Sequence, residues 1–237
     1  MYKVETLKKY LTIARDAFAR VQSNPAGVYV HISRGNRKIG RVMNVSTAPV
    51  LACANCKECK SFCYDIKACM QYPCNVLTAR VENLYMARYA RRQYFQQIKD
   101  ACSRRRANKF FRWHVAGDIL DADYFVHMVE IARMFPDFVF WTYTKNYAIV
   151  NHYVATHGGN RHVAIPGNLS IMFSEWDGLE MDNPYNFGTF SCKLKDGNKN
   201  HAPEYFDGLY KCPGNCDICK VAGRGCLVNE NTYADEH

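Results

Sequence analysis

Between Ala52 and Cys74 the chain reads ACANCKECKSFCYDIKACMQYPC, and six of these 23 residues are cysteine. The first four, Cys53, Cys56, Cys59 and Cys63, form a C-x2-C-x2-C-x3-C run. That spacing matches the cysteine run of bacterial ferredoxins. Gaps this short let several thiolates converge on one metal centre, because the intervening backbone loops around it and donates N–H bonds to the sulfurs. A second run lies near the end of the chain. In KCPGNCDICKVAGRGC it places Cys212, Cys216, Cys219 and Cys226 within 15 residues.

Whether such thiols bind metal or pair as disulfides depends on where the chain folds. The N-terminal stretch MYKVETLKKYLTIARDAFARV is charged and amphipathic, without the apolar core and small-residue cleavage site of a signal peptide. No run of about 18 apolar residues is present, so no membrane span is expected. The expected location is the cytoplasm, where twelve cysteines point to metal ligation over disulfides. Hydrophobic residues make up 48% of the 237, with 13 Phe, 16 Tyr and 3 Trp, enough to build a core and to exclude a disordered chain.

The formal charge is +9. Basic residues gather at Arg88, Arg91 and Arg92 and again at Arg104, Arg105 and Arg106. Part of this charge can serve anionic thiolate clusters, and the rest reads as a solvated surface. A nucleic-acid partner finds no recognisable binding module to support it.

Along the chain, Leu7, Leu11, Ala14, Ala17 and Phe18 recur at helical spacing and predict a first helix over residues 4–21. VYVHIS and KIGRVMNV flank Gly35-Asn36, a hairpin signal. A long amphipathic pattern predicts one helix from Asn75, as its N-cap, to about Arg104. Then strand and helix alternate: strand Phe110–Val115, a turn with Asp121 as N-cap, helix Tyr124–Phe135, strand Phe138–Tyr143, helix Tyr147–His157, strand Leu169–Phe173. This alternation argues for parallel strands, in a (β/α) barrel or an open α/β sheet. From Ser174 to Lys211 the periodicity fails, and long loops packed on the barrel mouth are expected. The whole reads as one domain: N-terminal helix and hairpin (1–50), first cysteine box (51–74), α/β scaffold (75–173), then loops and second cysteine box (174–237).

Soft iron or zinc favours thiolates, and a closed site takes four. Each box supplies four. In two-cluster ferredoxins the fourth cysteine of such a run serves the other cluster, so spacing leaves open which sulfurs share a metal. Zinc held by paired C-x2-C knuckles is the alternative. Cys212, Cys216 and Cys219 also have the C-x3-C-x2-C spacing of radical SAM enzymes, in which three ligands leave one iron open for S-adenosylmethionine. In that family, however, the triad follows the first barrel strand. Here it follows the last expected one, and Cys226 is available as a fourth ligand. The expected cofactor is therefore a fully cysteine-ligated [4Fe-4S] cluster, one or two per chain, with S-adenosylmethionine not favoured. Cys102 and Cys192 stand alone and read as buried structural thiols. Cys69 and Cys74 fit either role.

Ligands of parallel α/β folds bind beyond the C-terminal strand ends. His114 and Asp118 in HVAGD and Lys145 in WTYTK are the candidate catalytic residues on that rule, with Ser174, Glu175 and Asp177 on the same rim. The ordinary readings are a turn-capping Asp118 and a hydrogen-bonded core His114.

Several ordered segments together resemble a known family. They are GNRKIG followed by STAPVLAC, then CKSFCY, RWHVAGD, PDFVFWTYTK, PGNLSIMFS and CPGNCDIC. The chain resembles the bacteriophage gene product 88 family, cysteine-rich proteins described as radical-SAM-like. The resemblance implies a phage origin, a place in the host cytoplasm, a partial (β/α) barrel resembling the radical SAM fold with cysteine-rich extensions at both ends, and an iron–sulfur centre. It marks Cys53, Cys59 and Cys63 in the first box, and Cys212-Pro213, Cys216 and Cys219 in the second. The chain departs from the family pattern at Ala54, where proline is usual, and in having Cys56 as an extra cysteine. Three readings follow. The first is an iron–sulfur enzyme acting on an unknown small molecule. The second is a non-enzymatic electron carrier or cluster-stabilised interaction module with an unknown redox partner. The third is a zinc-stapled protein that binds nucleic acid through Arg88 to Arg106.

Overall fold

In the computed structural model, the structure describes residues 4–36, 39–56, 58–176, 178–193 and 208–235. Seven strands form one sheet: β1 (Met43–Val45), β2 (Phe110–Trp113), β3 (Val139–Thr144), β4 (Leu169–Ser174), β5 (Gly188–Lys193), β6 (Tyr210–Lys211) and β7 (Thr232–Asp235). Their order is β1-β2-β3-β4-β5-β7-β6, and every neighbouring pair is parallel. The sheet is open, with β1 and β6 at its edges.

Parallel strands need crossover connections, and helices supply those between β1 and β4 and between β6 and β7. The helices are α1 (Val4–Ser23), which precedes the sheet, α2 (Tyr64–Gln71), α3 (Thr78–Tyr89), α4 (Arg91–Arg104), α5 (Ala122–Met134), α6 (Tyr147–Thr156), the short α7 (Arg161–Ala164) and α8 (Cys216–Ala222). Strand alternation sorts the side chains onto two faces. Phe111, Trp113, Phe140, Ile171 and Phe173 pack against Tyr94, Phe95 and Ile98 of α4, Phe125 and Val129 of α5 and Val150 of α6. On the opposite face Trp141 and Met172 pack with Val42 and Cys226, flanked by Phe110, Tyr143, Phe190 and Cys216. The sheet is thus buried on both sides, by helices on one and by the second cysteine box on the other.

The strand–helix alternation from Phe110 to Phe173 matches the expected elements, and Asp121 caps α5 by accepting the Tyr124 N–H at 2.9 Å. Four expectations need correction. The single helix from Asn75 to Arg104 is instead a π-helical turn (Pro73–Leu77) containing Asn75, followed by α3 and α4, with Ala90 between them at φ −129°, ψ 41°. The break turns one apolar stripe to two targets. Val81 and Leu84 of α3 pack on Tyr10 and Ala14 of α1 and on Ile66, whereas Tyr94 and Phe95 of α4 pack on the sheet.

The hairpin reduces to an antiparallel bridge between Ser33 and Asn44 and another between Asn36 and Gly40, while β1 pairs in parallel with β2. The stretch expected as loops after Ser174 holds β5; its remainder at residues 194–207, and Asp177, lie outside the described residues. Finally, the α/β scaffold is not confined to 75–173, because β1 precedes the first box and β6 and β7 bracket the second.

Gly188 opens β5 where the Asn229 backbone crosses the strand, and a Cβ there would collide with the Asn229 carbonyl. That contact is how the turn after Cys226 reaches the sheet.

Candidate metal centre

The first box leaves β1 and lands on the C-terminal ends of the central strands. Its entry is held tightly. The Tyr10 hydroxyl of α1 donates to the Pro49 carbonyl at 2.8 Å, and the Arg88 guanidinium of α3 donates to the Leu51 carbonyl at 2.7 Å. Between them Val50 adopts φ +66°, a left-handed conformation that β-branched residues avoid. Strain of this kind, of order 1–3 kcal/mol, persists only where the surroundings over-determine it, as these two bonds do here.

Beyond this turn, the Asn55 amide donates to the Lys145 carbonyl at 2.7 Å and to Asn146 Oδ1 at 3.1 Å. The Phe62 ring meets Trp176 with centroids 6.0 Å apart, and the Tyr64 hydroxyl donates to the Val115 carbonyl. The box is therefore stapled to the ends of β2, β3 and β4.

Cys53, Cys56, Cys59 and Cys63 are all partly buried within this loop. The Cys56 and Cys59 sulfurs lie 3.8 Å apart. Cys56 is also hydrogen-bonded to Cys53, and both bonds push its thiol well up. Cys59, on the receiving side, is drawn down to about 6 by its bond from Cys56, and the Lys145 charge acts in the same direction. Burial pushes Cys63 up to about 12, against the N–H groups of Ile66 and Asp65 in the first turn of α2, which favour its thiolate. Lys145 Nζ lies 5.5 Å over the Trp176 ring.

Asp118 sits buried beside this loop. Its Oδ1 accepts from the Ile119 N–H at 2.7 Å and the Thr144 hydroxyl at 2.6 Å, and its Oδ2 accepts from the Lys145 N–H at 3.0 Å. Burial raises its carboxyl above the usual range, and these three donors oppose the rise. Asp118, Lys145 and Cys59 thus belong to one neighbourhood. His114 does not join them. It takes φ +51°, and its ring bonds Thr142 Oγ1 at 3.2 Å and the Tyr124 hydroxyl at 3.0 Å on the helix-covered face. Burial, reinforced by the Arg112 charge, pulls it down to about 3, so the ring is neutral.

The second box covers the other face. Cys212 follows β6, and its N–H bonds the Tyr233 carbonyl at 2.7 Å. Asn215 caps α8, which carries Cys216 and Cys219, and Gly223 ends the helix at φ +60°. A 3-10 turn (Gly225–Val228) carries Cys226, whose carbonyl accepts from the Ser170 hydroxyl of β4 at 2.5 Å. The Tyr210 hydroxyl lies 3.7 Å from the Cys219 sulfur. Cys212 acts electrostatically on Cys216, Cys219 and Cys226, so the four form one group.

Among the described residues, which include all twelve cysteines, there is no disulfide, and no three His, Cys, Asp or Glu side chains surround a common point suited to one metal ion. The donor chemistry of both boxes nonetheless fits a soft metal centre: four thiols apiece, with Cys59 already biased toward thiolate. Cys69 is buried in the α1–α3 core and hydrogen-bonds Asp65, which Arg80 holds by two bonds of 3.0 and 3.2 Å. Cys102 is buried on α4, Cys192 is half-buried on β5 and Cys74 is exposed. Sequence reasoning passed over Asn55, Trp176 and Arg112. Only Arg112 left a signal, as the one charge inside the apolar strand FFRWHV.

A sequence profile of gene product 88 matches residues 30–201, well over half of the chain. The chain belongs to the gene product 88 family. The match takes in the first cysteine box and β1 to β5 of this phage gene-product family and ends before Cys212. No curated protein and no solved structure matched the chain. Among the described residues no helix is long and apolar enough to cross a membrane.

Proposed function

We propose that this gene product 88 protein is an iron–sulfur protein that holds a [4Fe-4S] cluster through cysteine thiolates on a radical-SAM-like scaffold. The observation that carries the reading is the seat of the first box. It follows the first strand and caps the C-terminal ends of parallel strands, where such folds bind ligands and where radical SAM enzymes carry their cluster triad. Cys53, Cys59 and Cys63 are the primary ligands, and Cys56 is the extra thiol beside them. Asp118 and Lys145 face the same neighbourhood and are the groups available to a small substrate; His114, neutral and turned to the helix layer, positions the strand end.

One observation favours a second reading. Two thiolates on a single tetrahedral metal with bonds near 2.3 Å stand about 3.8 Å apart, whereas each cysteine of a cubane takes its own iron. The Cys56–Cys59 separation of 3.8 Å fits the single metal, so a zinc staple is the competing assignment.

Anaerobic purification separates the two. The iron–sulfur reading expects brown protein with broad absorbance at about 400 nm, about four irons per cluster and matching sulfide. Each of Cys53→Ser, Cys59→Ser and Cys63→Ser should lower the iron, and Cys102→Ser should retain it. Colourless protein carrying stoichiometric zinc would overturn the reading. Cleavage of S-adenosylmethionine by the reduced protein would add radical chemistry to it.

A further inference from the structure

Arg112 is the odd residue of the sheet. It lies in β2 between Phe111 and Trp113, paired in register with Asn44 on one side and Trp141 on the other. Alternation turns it away from the helices and toward the second cysteine box. Its guanidinium stacks on Tyr143 at 4.7 Å. Its Nε is buried and makes no hydrogen bond. Among the described residues, the groups that act most on its charge are two phenols and two thiols: Tyr143, Tyr64, Cys216 and Cys226.

A guanidinium is always charged, and Arg112 is half-buried, so part of that charge is withdrawn from water without a partner. Elsewhere this chain satisfies its inward arginines with carboxylates: Arg80 has Asp65, and Arg91 has Asp121 and Asp123. At Arg112 the guanidinium meets the Tyr143 ring instead, and Tyr143 packs in one cluster with Cys216 and Cys226 of the second box. Metal binding removes the protons from such thiols and leaves a site of four thiolates with net negative charge.

We propose that the second box, Cys212, Cys216, Cys219 and Cys226, is a metal site in its own right, and that Arg112 is the half-buried counter-charge that completes it. The proposal rests on the thiolate–metal reading above and extends it to a box that the family match does not reach. Arg112 is a positioning residue here: it touches the ligands' surroundings and favours the ionised, metal-holding state. The orphaned Nε supplies a donor for a ligand sulfur or for an anion carried with the metal.

The test compares wild type, Arg112→Met and Arg112→Lys as full-length protein, with Cys216→Ser as the reference for an emptied box. Metal is counted after anaerobic purification, and its release to a colorimetric chelator is followed for zinc or ferrous iron, whichever wild type holds. Cys216→Ser should lower the metal content. Arg112→Met should speed release from the second box about tenfold or more, the usual effect of losing a group behind the ligands, with Arg112→Lys between the two. Thermal melts supply the readout that mere packing would not. Arg112→Met should raise the melting temperature of metal-free protein, by removing an unpaired charge, and lower that of metal-loaded protein.

Full metal content in Cys216→Ser would overturn the metal reading of this box, and the proposal with it. If Cys216→Ser loses metal but Arg112→Met releases it at the wild-type rate, the metal reading stands and the role of Arg112 falls. Destabilisation of both forms by Arg112→Met would likewise overturn that role, leaving Arg112 a packing residue.

Discussion

Arg112 and His114 stand two residues apart, and a regular strand would turn them to the same face. The left-handed backbone of His114 ends β2 and swings its ring to the helix side, between Thr142 and Tyr124. There its role is legible in its titration. The folded state holds it near 3, while an unfolded histidine titrates at 6.5. Between these values the unfolded chain binds the extra proton, so stability is complete above pH 6.5 and falls as pH drops toward 3. The loss reaches on the order of 4 kcal/mol for this residue alone. Denaturant unfolding measured from pH 7 to 4 should show that slope in wild type. In His114→Asn, whose side chain tolerates positive φ, the slope should flatten; an unchanged slope would count against the buried neutral ring. Asp118 offers a second check. Asp118→Ala leaves the Thr144 hydroxyl and the Ile119 and Lys145 N–H groups without their acceptor, and about 2–4 kcal/mol of stability should be lost, read as a lower midpoint in urea. A midpoint within error of wild type would refute the bracing role.

Among the elements, α5 is one whose N-cap was readable from its residues alone. Asp121 both caps the helix and receives two bonds from Arg91, at 2.8 and 2.7 Å, so it ties the start of α5 to the start of α4. Asp121→Ala should cost about 1–2 kcal/mol, mostly through the lost cap, since the partly exposed ion pair adds little. The measurement is again unfolding free energy, and no change would show that the cap is dispensable. The α3–α4 break was not legible, because Ala90 is a good helix former and the apolar stripe runs through it unbroken. What ends α3 is the need to serve two cores, the α1 side through Leu84 and the sheet through Phe95. β5 escaped notice for a related reason. Gly188 and Ser191 are poor strand signals, and the strand exists because Met172, Phe173 and Ser174 of β4 offer it a partner edge.

Over the whole molecule, the C-terminal segment does more than carry ligands. β7 continues the sheet beside β5, and the turn holding Cys226 shields Trp141 and Met172, which are 1% and 0% exposed. A chain ending at residue 207 would uncover that face. It should aggregate in size-exclusion chromatography, with tryptophan emission shifted to the red; a monomer with wild-type emission would show that the sheet does not need this cover.

By itself the sequence determined the soft-ligand character of the two cysteine boxes, the parallel strand–helix core from Phe110 to Phe173, and the family marks within the first box. These are local matters of spacing, periodicity and residue chemistry, and they survive whatever surrounds them. The tertiary structure alone decided that the first box caps the strand ends beside Asp118 and Lys145. It also decided that His114 turns away, and that the second box closes the opposite face over Arg112. Those outcomes depend on which surfaces are left to be buried once the sheet has formed. A half-buried charge such as Arg112 shows what surrounds it only when the fold has brought distant residues to it.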